Sequence, residues 1–278
     1  MYPLTRRRFL KLSTLFGISC SLSLEPVKTL AEEQIHRVTD PDHLTEFEKL
    51  HLPRITAPDL TGNGHVVPVI VEMDHPMEPD HYIKSIEILN RRDPVVSKGR
   101  FYMTPANGAV YLSTQVRMHS GSSQVEVIAE CNQHGTWIAQ KPITIKEGGG
   151  GCATETDVQQ EETFDIRPPT LRIPHLIEEG SIVAGEIIKI QVKFKHPSRT
   201  GLKLVDGQFV PVKPPFYVKT MEVFYDGNQV SLYKMTEALS DNPFIGFKLR
   251  IHKEAPLRIV FTNSRDQRFE VTENFKFG

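Results

Sequence analysis

The chain predicts an all-β fold: two immunoglobulin-like antiparallel β-sandwich domains joined by a Gly-rich, acidic linker. Three observations carry this. Apolar residues recur at every second position in many short segments, turn residues break those segments at close intervals, and a glycine-rich and then acidic stretch, 147–169, divides the chain into two blocks. A period of two places alternate side chains on one face of a strand, and short strands separated by regular turn signals read as sandwiches.

The chain has 278 residues. Its first 31 read as an export signal. Thr5-Arg6-Arg7-Arg8-Phe9-Leu10-Lys11 precedes an apolar run, Leu12 to Leu24, that is interrupted by Ser13, Thr14, Gly17 and Ser19. That run is too short and too weakly apolar for a stable span, but it suits a signal h-region. The pair Arg6 and Arg7 followed by x-Phe-Leu-Lys is the twin-arginine pattern, which routes folded proteins to the periplasm. Thr29-Leu30-Ala31 supplies small residues for cleavage, which removes Cys20 and leaves Cys131 and Cys152.

In the first block, 40–146, helical periodicity is confined to Leu44 to Leu50. Gly62-Asn63-Gly64 precedes a valine-rich strand, His65 to Met73. Ile83, Ile86 and Ile88 lead to the turn Asn90-Arg91-Arg92-Asp93-Pro94. Phe101-Tyr102-Met103 and Val110 to Met118 flank the turn Pro105-Ala106-Asn107-Gly108. Val125, Val127, Ala129 and Cys131 share one face of a strand, and Thr136 to Ile145 follows the His134-Gly135 turn.

In the second block, 170–278, Ile188, Ile190, Val192 and Phe194 alternate along one strand. Met221, Val223 and Tyr225 run into Asp226-Gly227, a strong hairpin signal. Phe247, Leu249 and Ile251 alternate again, then Leu257, Ile259 and Phe261. Asn263-Ser264-Arg265-Asp266 turns the chain before Phe269 and Val271.

Between the blocks lies Glu147-Gly148-Gly149-Gly150-Gly151-Cys152, followed by a polar, acidic stretch. Consecutive glycines oppose folding of their own segment, so Gly148, Gly149, Gly150 and Gly151 read as a flexible arm with Cys152 at its tip. Four glycines reach about 10–12 Å, and the whole linker about 25–30 Å if free. A free thiol is mostly protonated at neutral pH. Lys146 opposes, and Glu147, Glu155 and Asp157 favour, the protonated form. No neighbour in sequence supplies a base, so Cys152 reads as a handle and not as a self-activated nucleophile. The alternative is a structural disulfide, Cys131–Cys152, closing a loop of about twenty residues and stabilising by roughly 3 kcal/mol in the entropy model.

Other chemistries find less support. Lys and Arg number 33 against 34 Asp and Glu, for a net charge of −1, and the basic residues are dispersed, which disfavours nucleic acid. There is no Gly-x-Ser-x-Gly, His-Glu-x-x-His or P-loop pattern. The acidic stretch after Gly151 would repel a phosphate. His75 and His81 flank Met77, Glu78 and Asp80, a set able to hold copper or zinc, but no His-x-His spacing occurs and no metal site is expected. Trp137 reads as core or interface, His196 as a turn or inter-block residue. Phe216, Tyr217 and Phe244 read as exposed partner contacts.

Several segments resemble a known family. Val66 to Val71, Asp74-His75-Pro76-Met77, His81-Tyr82-Ile83, Asp93-Pro94 and Val125 to Glu130, ending in the Gly-Gly-Cys run, resemble the SoxY subunit of the bacterial sulfur-oxidation carrier. Gly185-Glu186-Ile187-Ile188, His196-Pro197, Thr200-Gly201, Asp206-Gly207, Val210-Pro211, Phe224 to Asn228, Asn242-Pro243-Phe244 and Phe247 resemble its partner SoxZ. The order is Y then Z, as in the SoxYZ-like fusion carriers associated with quinoprotein (PQQ-dependent) dehydrogenases. The resemblance implies a periplasmic, non-catalytic carrier that holds sulfur intermediates covalently on Cys152. It would present them to sulfur-oxidation enzymes such as c-type cytochrome and hydrolase components. The alternative is an accessory module of a quinoprotein dehydrogenase system, its cysteine locked or unused. Two departures stand out: Ala153-Thr154 follows Cys152 where the family has two glycines, and Ser198-Arg199 replaces the usual Met-Glu after His-Pro.

Overall fold

The computed structural model describes residues 34–38, 43–153 and 164–278. Arg6 and Arg7, the rest of the signal segment, Cys20 and the acidic residues 154–163 lie outside the described residues.

In the first half the strands are β1 (Ile35–Arg37), β2 (Arg54–Thr56), β3 (Leu60–Thr61), β4 (Val67–Met73), β5 (Ile83–Leu89), β6 (Ser97–Tyr102), β7 (Val110–Val116), β8 (Gly121–Cys131) and β9 (Gly135–Ile145). A short helix α1 (Glu46–His51) precedes β2, and a 3-10 turn, Pro105–Asn107, joins β6 to β7. The second half contributes β10 (Arg167–Arg172), helix α2 (Pro174–Glu178), β11 (Glu186–Lys195), β12 (Leu202–Val205), β13 (Gln208–Pro211), β14 (Val218–Tyr225), β15 (Asn228–Met235), β16 (Phe244–Ile251), β17 (Pro256–Asn263) and β18 (Arg268–Asn274).

The alternation seen in the sequence is the burial pattern. Val67, Val69, Val71 and Met73 of β4 point inward, as do Val125, Val127, Ala129 and Cys131 of β8 and Ile188, Ile190, Val192 and Phe194 of β11. Asp226 and Gly227 take positive φ values of 50° and 77° between β14 and β15, the two left-handed residues that a tight hairpin requires. Helix α1 exists because Thr45 caps it. The Thr45 side chain accepts from Glu48 N, while the Glu48 carboxylate accepts from Thr45 N. That cap sets the helix so that its last residue, His51, is fully buried.

The fold is all-β, as expected, and the two sandwiches share their sheets. One sheet runs β1-β9-β8-β5-β6-β15-β14-β17-β18, with β3 also on β9. The other runs β10-β11-β16-β7-β4-β2. Both therefore cross from one half to the other. Antiparallel β6 and β15 pair Phe101 with Tyr233 and Gly99 with Met235, and β7 and β16 pair Leu112 with Phe247. Where two separate cores were expected, one continuous hydrophobic cluster holds residues of both halves, from Val67 to Phe275. The physical reason is edge satisfaction: joined to its counterpart, neither half leaves these strands with a row of unpaired backbone groups.

Candidate functional site

Cys152 follows the β9 exit, in the crevice where the two halves meet. The glycine arm there is docked, which corrects the expectation of a free tether. Gly64 N donates to Gly149 O at 2.6 Å, Gly149 N to Lys146 O at 3.0 Å and Gly151 N to Met118 O at 2.8 Å. A Cβ at Gly149 would lie 2.4 Å from Gly62 O, and one at Gly151 would lie 2.2 Å from Gly64 O. These glycines are required by close backbone approach. Bare backbone can lie against the 62–65 loop where no side chain fits.

Arg117 of the first half and Thr200 of the second clamp the arm from the other side. Arg117 of the segment after β7 is 2% exposed. Its guanidinium donates to Gly151 O at 3.0 Å, to Ser198 O and to Asp241 Oδ1 at 3.2 Å. Arg199 donates to both Asp241 oxygens, and Ser198 N donates to Asp241 Oδ1 at 2.6 Å. Thr200 Oγ1 donates to the Cys152 carbonyl at 2.9 Å. The Ser198-Arg199 departure noted in sequence therefore falls at the clamp.

The Cys152 thiol is 2% exposed. Burial, reinforced by the nearby Asp93 carboxylate, pushes it up to about 12; Lys98 and Arg117 only partly oppose this. Asp93 is itself held by Lys98 Nζ at 2.6 Å and by His119 N at 2.8 Å, and both Asp93 and Lys98 are buried. A protonated, buried thiol is inert as a nucleophile.

The alternative Cys131–Cys152 bridge is not formed: both are free, buried thiols in different surroundings. Cys131, at the end of β8, sits among histidines. Its Sγ is 3.8 Å from His134 Nδ1, which lies 3.0 Å from His51 Nε2 and 3.1 Å from His81 Nε2. His75 packs on His51 and His81 with ring centroids 4.8 and 4.4 Å away. Burial pushes His75 down to about 4 and lowers His51 and His81, which disfavours the charged form of each ring. Trp137 is buried, stacks on His51 and His36, and donates Nε1–H to His134 O.

The remaining expected residues scatter. Met77 is buried in the core, Glu78 pairs with Arg250, and the Asp80 carbonyl accepts from Asn132 and Gln133. His196 is fully buried against Phe194 and Phe216, and burial pushes it down to about 4. Phe216 is not an exposed contact. It is buried, stacked on Phe164 and covered by the Arg265 guanidinium, because a ring at that bend fills the space beside His196. Tyr217 and Phe244 are half-buried. Sequence reading placed Asp93 and Thr200 in family-like segments but gave them no role at the thiol, and it missed Lys98 and Arg117, which carry no local pattern. It also missed His51 and His134, although the Cys131-x-x-His134 spacing at a hairpin tip was a visible signal.

Residues 44–152 match the family model "Sulfur oxidation protein SoxY", and residues 178–274 match "Sulphur oxidation protein SoxZ". The first match ends on Cys152. Among solved structures, the chain is similar to a superoxide reductase (neelaredoxin) from Ignicoccus hospitalis at 29% identity over 34% of this chain and 81% of that one, TM-score 0.32. It is similar to a putative superoxide reductase from Thermotoga maritima at 25% identity over 43% and 98%, TM-score 0.32. Fibronectin(III)-like modules of Clostridium thermocellum CbhA align over 81% and 94% at 9% identity, TM-score 0.26. No curated protein sequence matches the chain.

Proposed function

Because this chain belongs to the SoxYZ sulfur-oxidation carrier family, with a SoxY and a SoxZ domain fused in one polypeptide, we propose that Cys152 is its covalent sulfur attachment residue. The observation that carries the reading is the position of Cys152: it ends the SoxY match on a glycine arm lodged between the two halves. The arm is then a latch. Closed, it keeps the thiol protonated and shielded. Open, the thiol returns toward its usual range and forms an S–S bond with a sulfur anion. Two electrons pass to an oxidant partner of the c-type cytochrome class, and the thiol proton goes to solvent. Partner enzymes of the hydrolase class then process the cargo while it is attached. The carrier contributes presentation and no catalysis of its own.

The Arg6-Arg7 segment supports export to the periplasm by the twin-arginine route. Burial of Cys152 also favours the second reading, an accessory module of a quinoprotein dehydrogenase system in which the cysteine is unused. Intact mass and peptide mapping of protein from its native host, prepared without reductant, separate the two. A thiol-removable adduct on Cys152 supports the carrier. An unmodified Cys152 in cells that are oxidising sulfur compounds overturns it.

A further inference from the structure

The carrier reading leaves unused the cluster at the far end of the SoxY half, where α1, the segment after β4 and the β8–β9 hairpin tip meet. His51, His81, Cys131 and His134 each offer one ligand atom, and these four atoms lie within 4.8 Å of one another. Donors at right angles on one ion, each about 2.1 Å from it, stand about 3 Å apart. The 3.0 and 3.1 Å separations from His134 Nδ1 to His51 Nε2 and His81 Nε2 match that spacing.

The tautomers point the same way. His51 Nδ1 is 2.8 Å from the carbonyl of Phe47, and His75 Nδ1 is 2.6 Å from that of Pro76. A carbonyl only accepts, so both rings carry their proton on Nδ1 and leave a bare lone pair on Nε2, which in His51 faces His134 Nδ1 at 3.0 Å. Metal-bound histidines are oriented by this kind of outer hydrogen bond. The converging lone pairs are not satisfied by one another. His134 Nδ1 faces two ring nitrogens and can donate a proton to only one. His75 is 4% exposed, and its Nε2 has no hydrogen-bond partner among the described residues. A buried polar atom without a partner is costly, and the ring that carries this one packs against those of His51 and His81. Gln133 N points at Cys131 Sγ from 3.5 Å, a contact that favours a ligating thiolate.

We propose that His51, His75, His81, His134 and Cys131 bind a single iron ion, with Nε2 of the first three, Nδ1 of His134 and Sγ of Cys131 as ligands. The donor set selects the metal class. Closed structural zinc sites take four ligands. Oxygen-rich shells suit magnesium, calcium and manganese, and copper–thiolate sites use two histidines with the cysteine. Four imidazoles and one thiolate make a five-donor shell of mixed softness, which iron accommodates with a sixth position open. Trp137 stacked on His51, and the α1 cap that sets His51, hold one wall of the shell rigid.

The test uses the full chain, supplied anaerobically with one equivalent of Fe(II), desalted, and analysed for iron. One iron per chain is expected. Oxidation by ferricyanide should give a visible thiolate-to-Fe(III) charge-transfer band. The band should persist in Cys152→Ser and vanish in Cys131→Ser, and His75→Ala should weaken retention tenfold or more, with circular dichroism confirming that each variant is folded. Failure of the folded wild-type chain to retain iron overturns the assignment. So does a band lost with Cys152 and not with Cys131, or zinc held in preference to iron with no dependence on His75. These outcomes are independent of whether Cys152 carries sulfur.

Discussion

Thr200 Oγ1 of the SoxZ half donates to the carbonyl of Cys152 at 2.9 Å, a buried hydrogen bond between residues 48 positions apart. The domain that lacks the cysteine thus grips the residue that bears it. Fusion supplies more than proximity: the arm of one half is a guest in the crevice completed by the other.

Thr200→Val should loosen that grip. The buried Cys152 carbonyl would lose its partner, at a cost of about 1–3 kcal/mol, which corresponds to roughly a 5- to 150-fold larger open population. Alkylation of Cys152 at neutral pH, followed by peptide mapping, should accelerate by that factor. An unchanged rate would show that the latch is held elsewhere.

Gly151→Ala should expel the arm more completely, since its Cβ would meet Gly64 O at 2.2 Å, backbone against backbone. Gly148→Ala is the comparison. Nothing lies within 4 Å of the added Cβ, and only the φ of +75° opposes it, a strain of about 1–2 kcal/mol. Labelling of Cys152 should be fast in the first variant and only modestly raised in the second.

The pH dependence of labelling carries a sign. Docking raises the Cys152 thiol from 9.0 to about 12, chiefly by burial and then by Asp93. Stabilisation of the docked arm is therefore complete below about 9 and is lost as pH rises toward 12. The labelling rate should keep climbing past pH 9, because ionisation itself favours the open state. An exposed thiol would level off near 9, and that profile would contradict the docked arm.

Asp93→Asn should be strongly destabilising. It leaves the Lys98 ammonium, whose side chain is 0% exposed, without its counter-charge. Breaking one side of a buried pair costs about 3–5 kcal/mol, whereas replacing both partners with apolar residues is often neutral. Denaturant titration should show a large loss for Asp93→Asn and recovery in Asp93→Leu/Lys98→Met. Equal losses in both would mean that the pair acts through the His119 contact and not through its charges.

Calorimetry should record one cooperative unfolding transition for the described body. The β6–β15 and β7–β16 pairings and the common core link the two halves. Two resolved transitions would show that these pairings contribute little.

Local pattern accounts for what was legible. The inward faces of β4, β8, β11 and β16 follow from period-two alternation, and the β14–β15 hairpin from Asp226-Gly227. The short strands β1, β2 and β3 were not legible, because two or three residues are too few to show a period. The glycine run was visible, but its physical meaning was not. Glycine serves equally for freedom and for close approach, and only the 2.2 Å distance to Gly64 O distinguishes them.

By itself the sequence determined the all-β class, the order of the SoxY and SoxZ halves, and Cys152 as the residue to watch. Each of these is written in contiguous residues or short spacings. The tertiary structure alone decided that the halves share two sheets, that the thiol is buried beside Asp93, and that His51 joins His75, His81, Cys131 and His134. Those facts depend on contacts between residues tens to more than a hundred positions apart, as between Phe101 and Tyr233. Backbone pairing and side-chain convergence over such separations leave no mark on local composition.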